Sequence, residues 1–158
     1  MSRAENIVTS IKVTINAPAS VVWEVLTDLP RYHEWNTFCP RATSTFKLGD
    51  PIDMYIPLPD QPGKELHQVE YVVAFEPNQL LSWELPATSD NKDCARRDQY
   101  IETLGPEESS YYSTDIFLGL NQDKIMETFG AWVKSSFDIV ALGVKKQAEK
   151  LHAERKLC

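Results

Sequence analysis

Residues 122–155 read QDKIMETFGAWVKSSFDIVALGVKKQAEKLHAER. Ile125, Phe129, Trp132, Val133, Phe137, Val140, Val144, Ala148 and Leu151 recur at three- and four-residue steps, which gathers them on one face of an α-helix. Asn121, just before the segment, is a residue type that caps helix N-termini. Lys145, Lys146, Lys150, Arg155 and Lys156 crowd the C-terminal half, where cations suit the helix dipole. Gly130 and Gly143 weaken the helix locally and permit close packing or a bend. A long helix with one aromatic-studded stripe needs a broad apolar surface to cover.

The preceding chain supplies such a surface. Residues 7–15, IVTSIKVTI, alternate, and Ile7, Thr9, Ile11, Val13 and Ile15 would share one face of a strand. APASVVWEVLTD follows as a helix, opened at Pro18 and stopped before Pro30, with Val21, Val22, Val25 and Leu26 as its stripe. A second short helix is expected at RYHEW. Strands are then expected over 42–47, 52–58, 66–75, 80–85, 95–104 and 110–118, divided by glycine, proline and asparagine turns. In the third of these, His67, Val69, Tyr71, Val73 and Phe75 alternate with Gln68, Glu70 and Val72. Short turns between successive strands make a meander the economical pairing. The whole chain, 1–158, is expected to form a single domain.

Bulk properties narrow the partners. A net charge of −7 disfavours nucleic acid phosphates and anionic lipid surfaces. Three cysteines, Cys39, Cys94 and Cys158, form neither a disulfide framework nor a thiolate metal site. His33, His67 and His152 lack metal-ligand spacing, and no glycine-rich phosphate loop is present, so neither a metal nor a cofactor is expected. With no signal-like N-terminus and no apolar run of membrane length, a cytoplasmic location is expected.

Several segments resemble one superfamily. INAPASVVWEVLTDLPRYHEWNTFCP (15–40), LGD (48–50), VVAFEPNQLLSWE (72–84) and DIFLG (115–119) look like the opening, first sheet turn, turn-and-strand and last strand end of the SRPBCC superfamily. That superfamily includes START domains, birch-pollen-type allergens and polyketide cyclase/dehydrase-like proteins. The resemblance implies an α+β helix-grip fold. A curved antiparallel sheet of about seven strands, with two short helices, would enclose a pocket against the long C-terminal helix. It also implies a hydrophobic small-molecule ligand. Related members often carry His where this chain has Asp98, and Glu where it has Asp115.

Candidate site residues follow from strand alternation. If Phe117 points into the grip, so do Tyr111, Ser113 and Asp115. On the neighbouring strand Arg96, Asp98, Tyr100 and Glu102 group together, which makes an Arg96–Asp98–Asp115 corner. Two close carboxyls split their pKa values, so one can act as acid and the other as base, with Arg96 steadying an enolate. The other reading of these charges is a cross-strand ion pair on the outer face. His67 is a second candidate base, or a solvated strand-end histidine. Trp35, Asn36, Tyr71, Trp83, Tyr100, Phe117, Phe129 and Trp132 are candidate ligand contacts. Trp35 reads as core packing ahead of pocket wall, and Asn36 as a donor to a ligand carbonyl or as a helix-end cap. Two functions stay open. One is acid/base cyclisation or dehydration of a polyketide-like intermediate, by aldol or lactone/pyrone closure. The other is a non-catalytic carrier or sensor of a hydrophobic ligand. A protein-binding module is a third.

Overall fold

The computed structural model describes residues 6–157; the start of the N-terminal segment, and Cys158, read above for targeting and disulfide signals, lie outside the described residues. Alternating β-branched and aromatic residues build β1 (Ile7–Thr9), β2 (Val13–Ile15), β3 (Arg41–Ser44), β4 (Pro51–Pro57), β5 (Glu65–Glu76), β6 (Leu80–Leu85), β7 (Cys94–Gly105) and β8 (Glu108–Leu118). The helices are α1 (Ala19–Thr27), a 3-10 turn over Leu29–Glu34, and α2 (Gln122–Lys156). The eight strands form one antiparallel sheet in the order β1-β8-β7-β6-β5-β4-β3, with β2 also on β8. From β3 to β8 each strand pairs with the next, the expected meander. This is the α+β helix-grip fold expected from the sequence.

The N-terminal strand departs from its expected pattern. It splits into β1 and β2, and its register on β8 slips by one residue, from Val8 opposite Asp115 to Val13 opposite Tyr111. The break occurs where Ser10 exchanges bonds with Ser113: Ser10 N donates to Ser113 O, and Ser113 N donates to Ser10 Oγ, both at 2.9 Å. As a result Val8, Val13 and Ile15 all face inward, while Ile11 is 37% exposed.

The core lies under the second half of α2. Val140, Ala141, Val144, Ala148 and Leu151 pack against Val22 and Leu26 of α1 and against Ile15, Ile52, Leu81 and Tyr111 of the sheet. Each fully buried Val or Leu contributes about 1.5–3 kcal/mol. Arg155 clamps the far end through a two-pronged ion pair to Glu24. Asn121 sits at the N-cap without a side-chain cap bond; its Nδ2 donates instead to Asp93 at 3.0 Å, tying the start of α2 to the loop before β7.

Gly143 lets α2 approach the end of the 3-10 turn. A Cβ there would stand 2.9 Å from the Trp35 carbonyl oxygen and 3.0 Å from its ring. Helix propensity alone favours Gly143→Ala by about 1 kcal/mol. We expect the opposite sign, a loss of about 1–2 kcal/mol from overpacking against backbone, measured by urea unfolding.

Candidate functional site

The first half of α2 has only a small buried cluster beneath it, in which Val133 and Phe137 meet Val8 and Phe117. Between this half and the concave face lies a cavity of about 380 Å³. Its apolar wall comes from Met54 and Ile56 of β4, Trp83 of β6, Phe117 of β8, Phe38, and Trp132 and Phe137 of α2. Leu66 and Phe129 also line it and are 45% and 50% exposed, so the cavity reaches the surface between the start of β5 and the second turn of α2.

One patch of this wall is polar. Strand pairing sets Trp83 opposite Arg97, and Arg97 opposite Asp115. Val72 lies opposite Trp83 on the other side, which puts Glu70 and Gln68 on the same face of β5. Arg97, Asp115, Glu70 and Gln68 therefore all line the cavity. Arg97 is only 7% exposed, and its guanidinium stacks 4.0 Å from the Phe137 ring. Its Nε and Nη2 have no protein hydrogen-bond partner.

The carboxyls are shifted by this setting. Burial, and then the neighbouring charge of Glu70, push Asp115 up to about 8, against the opposing pull of Arg97. Burial pushes Glu70 up to about 7, opposed by the Gln68 amide and by Arg97. Both side chains are half-buried and line the cavity. Both carboxyls are thereby brought into the range near neutral pH that acid/base chemistry requires.

The structure corrects the expected facing of five candidates. Arg97, not Arg96, sits opposite Asp115, so Arg96, Asp98 and Tyr100 point to the outer face. There Asp98 accepts from Ser82 Oγ at 2.5 Å and from Arg96 Nε at 3.1 Å, the outer-face ion pair weighed above. Tyr100 stacks on Tyr112, ring centres 4.8 Å apart. Phe117 sets the phase of β8 alone, and that of β7 follows only from the cross-strand register.

On β5 the reason is a bulge between Val72 and Ala74. Val72 and Phe75 both face inward, so counting back in twos from Phe75 gives the wrong face for residues 67, 69 and 71. His67 instead pairs outside with Asp53 at 2.8 Å and stacks on Tyr55; Tyr71 is 40% exposed.

The other candidates divide between two spaces. Asp115, Trp83, Phe117, Phe129 and Trp132 line the cavity. Trp35 and Asn36 do not; Trp35 packs edge-on to Tyr32, and Asn36 Oδ1 accepts from Cys39 N at 2.8 Å. Sequence reasoning missed Arg97, Glu70 and Gln99. The signal available was apolar: Ala95 and Ile101 share their face of β7 with Arg97 and Gln99.

Comparison with known proteins places this geometry in a wider group. A family model described as polyketide cyclase/dehydrase and lipid transport matches residues 6–94, more than half of the chain. Its match ends at the start of β7, before Arg97, Asp115 and α2. The fold is similar to that of the Zhui aromatase/cyclase from Streptomyces sp. R1128, with a TM-score of 0.71 and 19% identity over 91% of this chain and 93% of that one. The di-domain ARO/CYC StfQ from the steffimycin biosynthetic pathway gives a TM-score of 0.70 at 13% identity, over 94% of this chain and 47% of that one. A START superfamily protein from Mycobacterium smegmatis gives 0.63 at 14% identity, over 94% and 97%. No curated protein matches the sequence. Among the described residues no helix is long and apolar enough to cross a membrane.

The raised carboxyls have a measurable consequence. Their folded pKa values lie above the unfolded ones, so their contribution to stability is complete below the unfolded values, near pH 4, and is lost as pH rises through about 7 to 8. We expect the melting temperature to fall from about pH 5 to about pH 8 and to level off above that. Asp115→Asn and Glu70→Gln should flatten that fall and stabilise the chain at pH 9 by on the order of 2 kcal/mol each. A flat wild-type profile would contradict the burial assigned to both groups.

Proposed function

The chain belongs to the polyketide cyclase/dehydrase and lipid transport family, and on that premise we propose that its cavity binds a hydrophobic, carbonyl-containing chain and promotes its cyclisation or dehydration by acid/base chemistry. The observation that carries this reading is the pair of half-buried carboxyls, shifted to about 7 and 8, that share one apolar cavity with a buried guanidinium. Trp83, Phe117, Phe129 and Trp132 would hold the apolar body of the ligand.

The steps balance without any outside reagent. The charged carboxylate takes a proton from a carbon between two carbonyls. The enolate carbon bonds to a distant carbonyl carbon of the same chain. That carbonyl oxygen takes the proton held by the other carboxyl, which gives the aldol. Loss of the new hydroxyl with a neighbouring C–H proton, as water, completes dehydration. Attack by an enol oxygen on a terminal thioester or ester carbonyl, with the thiol or alcohol leaving and taking the proton held by the neutral carboxyl, gives the lactone or pyrone instead. Arg97 supports the negative charge that develops on oxygen, in a site where low dielectric strengthens the interaction. The shape of the cavity wall adds orientation of the folded chain.

A carrier is the second reading, favoured by one observation: outside the Arg97–Asp115–Glu70 patch the cavity wall is dominated by apolar side chains. Turnover separates the two. With a linear poly-β-ketone surrogate, Asp115→Asn and Glu70→Gln should each lower the cyclisation rate by about 10²-fold or more. Asp98→Asn, Arg96→Ala and His67→Ala, on the outer face, should leave it unchanged. Binding of the surrogate without any rate enhancement over solution would establish the carrier.

A further inference from the structure

The two carboxyls of the cavity differ in position. Asp115 lies in one row of the sheet with Arg97, Trp83 and Val72. Tyr71 opposite Glu84 sets Glu70 in the next row, that of Leu85, Ala95 and Phe117. Along β5 the wall runs from exposed Leu66 at the mouth, through Gln68 and Glu70, toward the buried Val72. Glu70 therefore stands one row nearer the mouth than Asp115, about 7 Å along the strands.

They differ also in their hydrogen bonds. Gln68 and Glu70 are alternate residues on one face of β5, and Gln68 Nε2 donates to Glu70 Oε2 at 3.4 Å. Among the described residues no group donates to the Asp115 carboxyl. An amide N–H only donates, so it stabilises the charged form of the carboxyl it reaches. The other charged groups do not reverse this distinction. Arg97 pulls both carboxyls down. Asp98 acts on Asp115 from the outer face, in the sense that keeps it protonated. Asp93 and Cys94 lie at the start of β7, on the mouth side of Ala95, and Asp93 is tied to Asn121. The lining side chains of β4 and α2 are apolar. Once Glu70 is charged, its charge holds the proton on Asp115.

Resting on the reading of the pair as acid and base, we propose that Gln68 is a positioning residue that divides their roles: its amide holds Glu70 as the charged base nearer the mouth and leaves Asp115 as the deeper proton donor. The assignment orients the substrate. The carbon that loses a proton lies beside Glu70, toward the mouth. The carbonyl oxygen that gains one lies deeper, beside Asp115. After closure Glu70 holds the proton and Asp115 the charge, and return of one proton from Glu70 to Asp115 restores the pair.

Carbon-13 NMR titration of the labelled side-chain carboxyls, beside pH–rate profiles with the linear poly-β-ketone surrogate, tests this. Glu70→Gln should remove the lower of the two raised titrations, and Asp115→Asn the upper. Gln68→Leu removes the amide, and Gln68→Met removes it while keeping the length of the side chain. Each should move the Glu70 titration up toward that of Asp115 and carry the rising limb of kcat with it. At about pH 5.5, below both titrations, the rate should fall about tenfold. KM for the surrogate should change little, which also shows that the variants are folded. Titrations that stay in place in both variants overturn the role of Gln68. So does a limb that stays while Glu70 moves, and so does Asp115 titrating below Glu70. A wild type that never turns the surrogate over overturns the acid/base reading and the roles with it. Turnover with unmoved titrations overturns the roles alone and leaves that reading intact.

Discussion

The pairing of β7 with β8 is the constraint on which the site depends. The two strands are joined from Cys94 opposite Leu118 down to the turn near Gly105. Side chains alternate from Cys94 to Thr103, so over that span one register decides the facing of every residue on both strands, and a slip of one residue would invert them all. In the register adopted, Ala95, Ile101, Tyr111 and Phe117 face inward as an apolar anchor. Arg97, Gln99, Ser113 and Asp115 are carried inward with them because they occupy the same alternate positions. The apolar members secure the register; the ionisable ones are buried as its consequence.

That burial gives the cavity its chemical character. A hydrophobic ligand needs walls such as Phe117, Trp83 and Trp132, which exclude water. The same exclusion raises Asp115 and Glu70 toward neutrality and leaves the guanidinium of Arg97 poorly solvated. Affinity for an apolar chain and perturbed titration therefore arise from one cause. α2 reflects this division along its length. Its second half, from Val140 to Leu151, fills the core against α1, and its first half roofs the cavity with Ile125, Phe129, Trp132 and Val133.

Much of the architecture was legible in residue order. The three- and four-residue repeat of 122–155 marks α2, and the alternating runs between proline and glycine turns mark the sheet. The family motifs at 15–40 and 72–84 agree with the match over 6–94. The inward course of Asp115 and Phe117 was legible as well, because DIFLG carries an apolar residue at a position that fixes the phase. The site was less so. Arg96 and Arg97 are adjacent and chemically alike, and nothing local says which faces in. On β5, Phe75 misleads, because the extra residue at the bulge exchanges the two faces of the strand between it and His67.

The sequence by itself determined the kinds of element, their order and the long covering helix. Those rest on short-range periodicity and turn chemistry, which each segment carries within itself. Only the tertiary structure decided that Arg97 and Glu70 face the cavity, that Gln99 faces the interior, and that Asp98 and His67 lie outside the cavity. Those assignments rest on registers between strands and on one bulge. They are fixed by the packing of whole sheet faces against α2, information that no single strand contains.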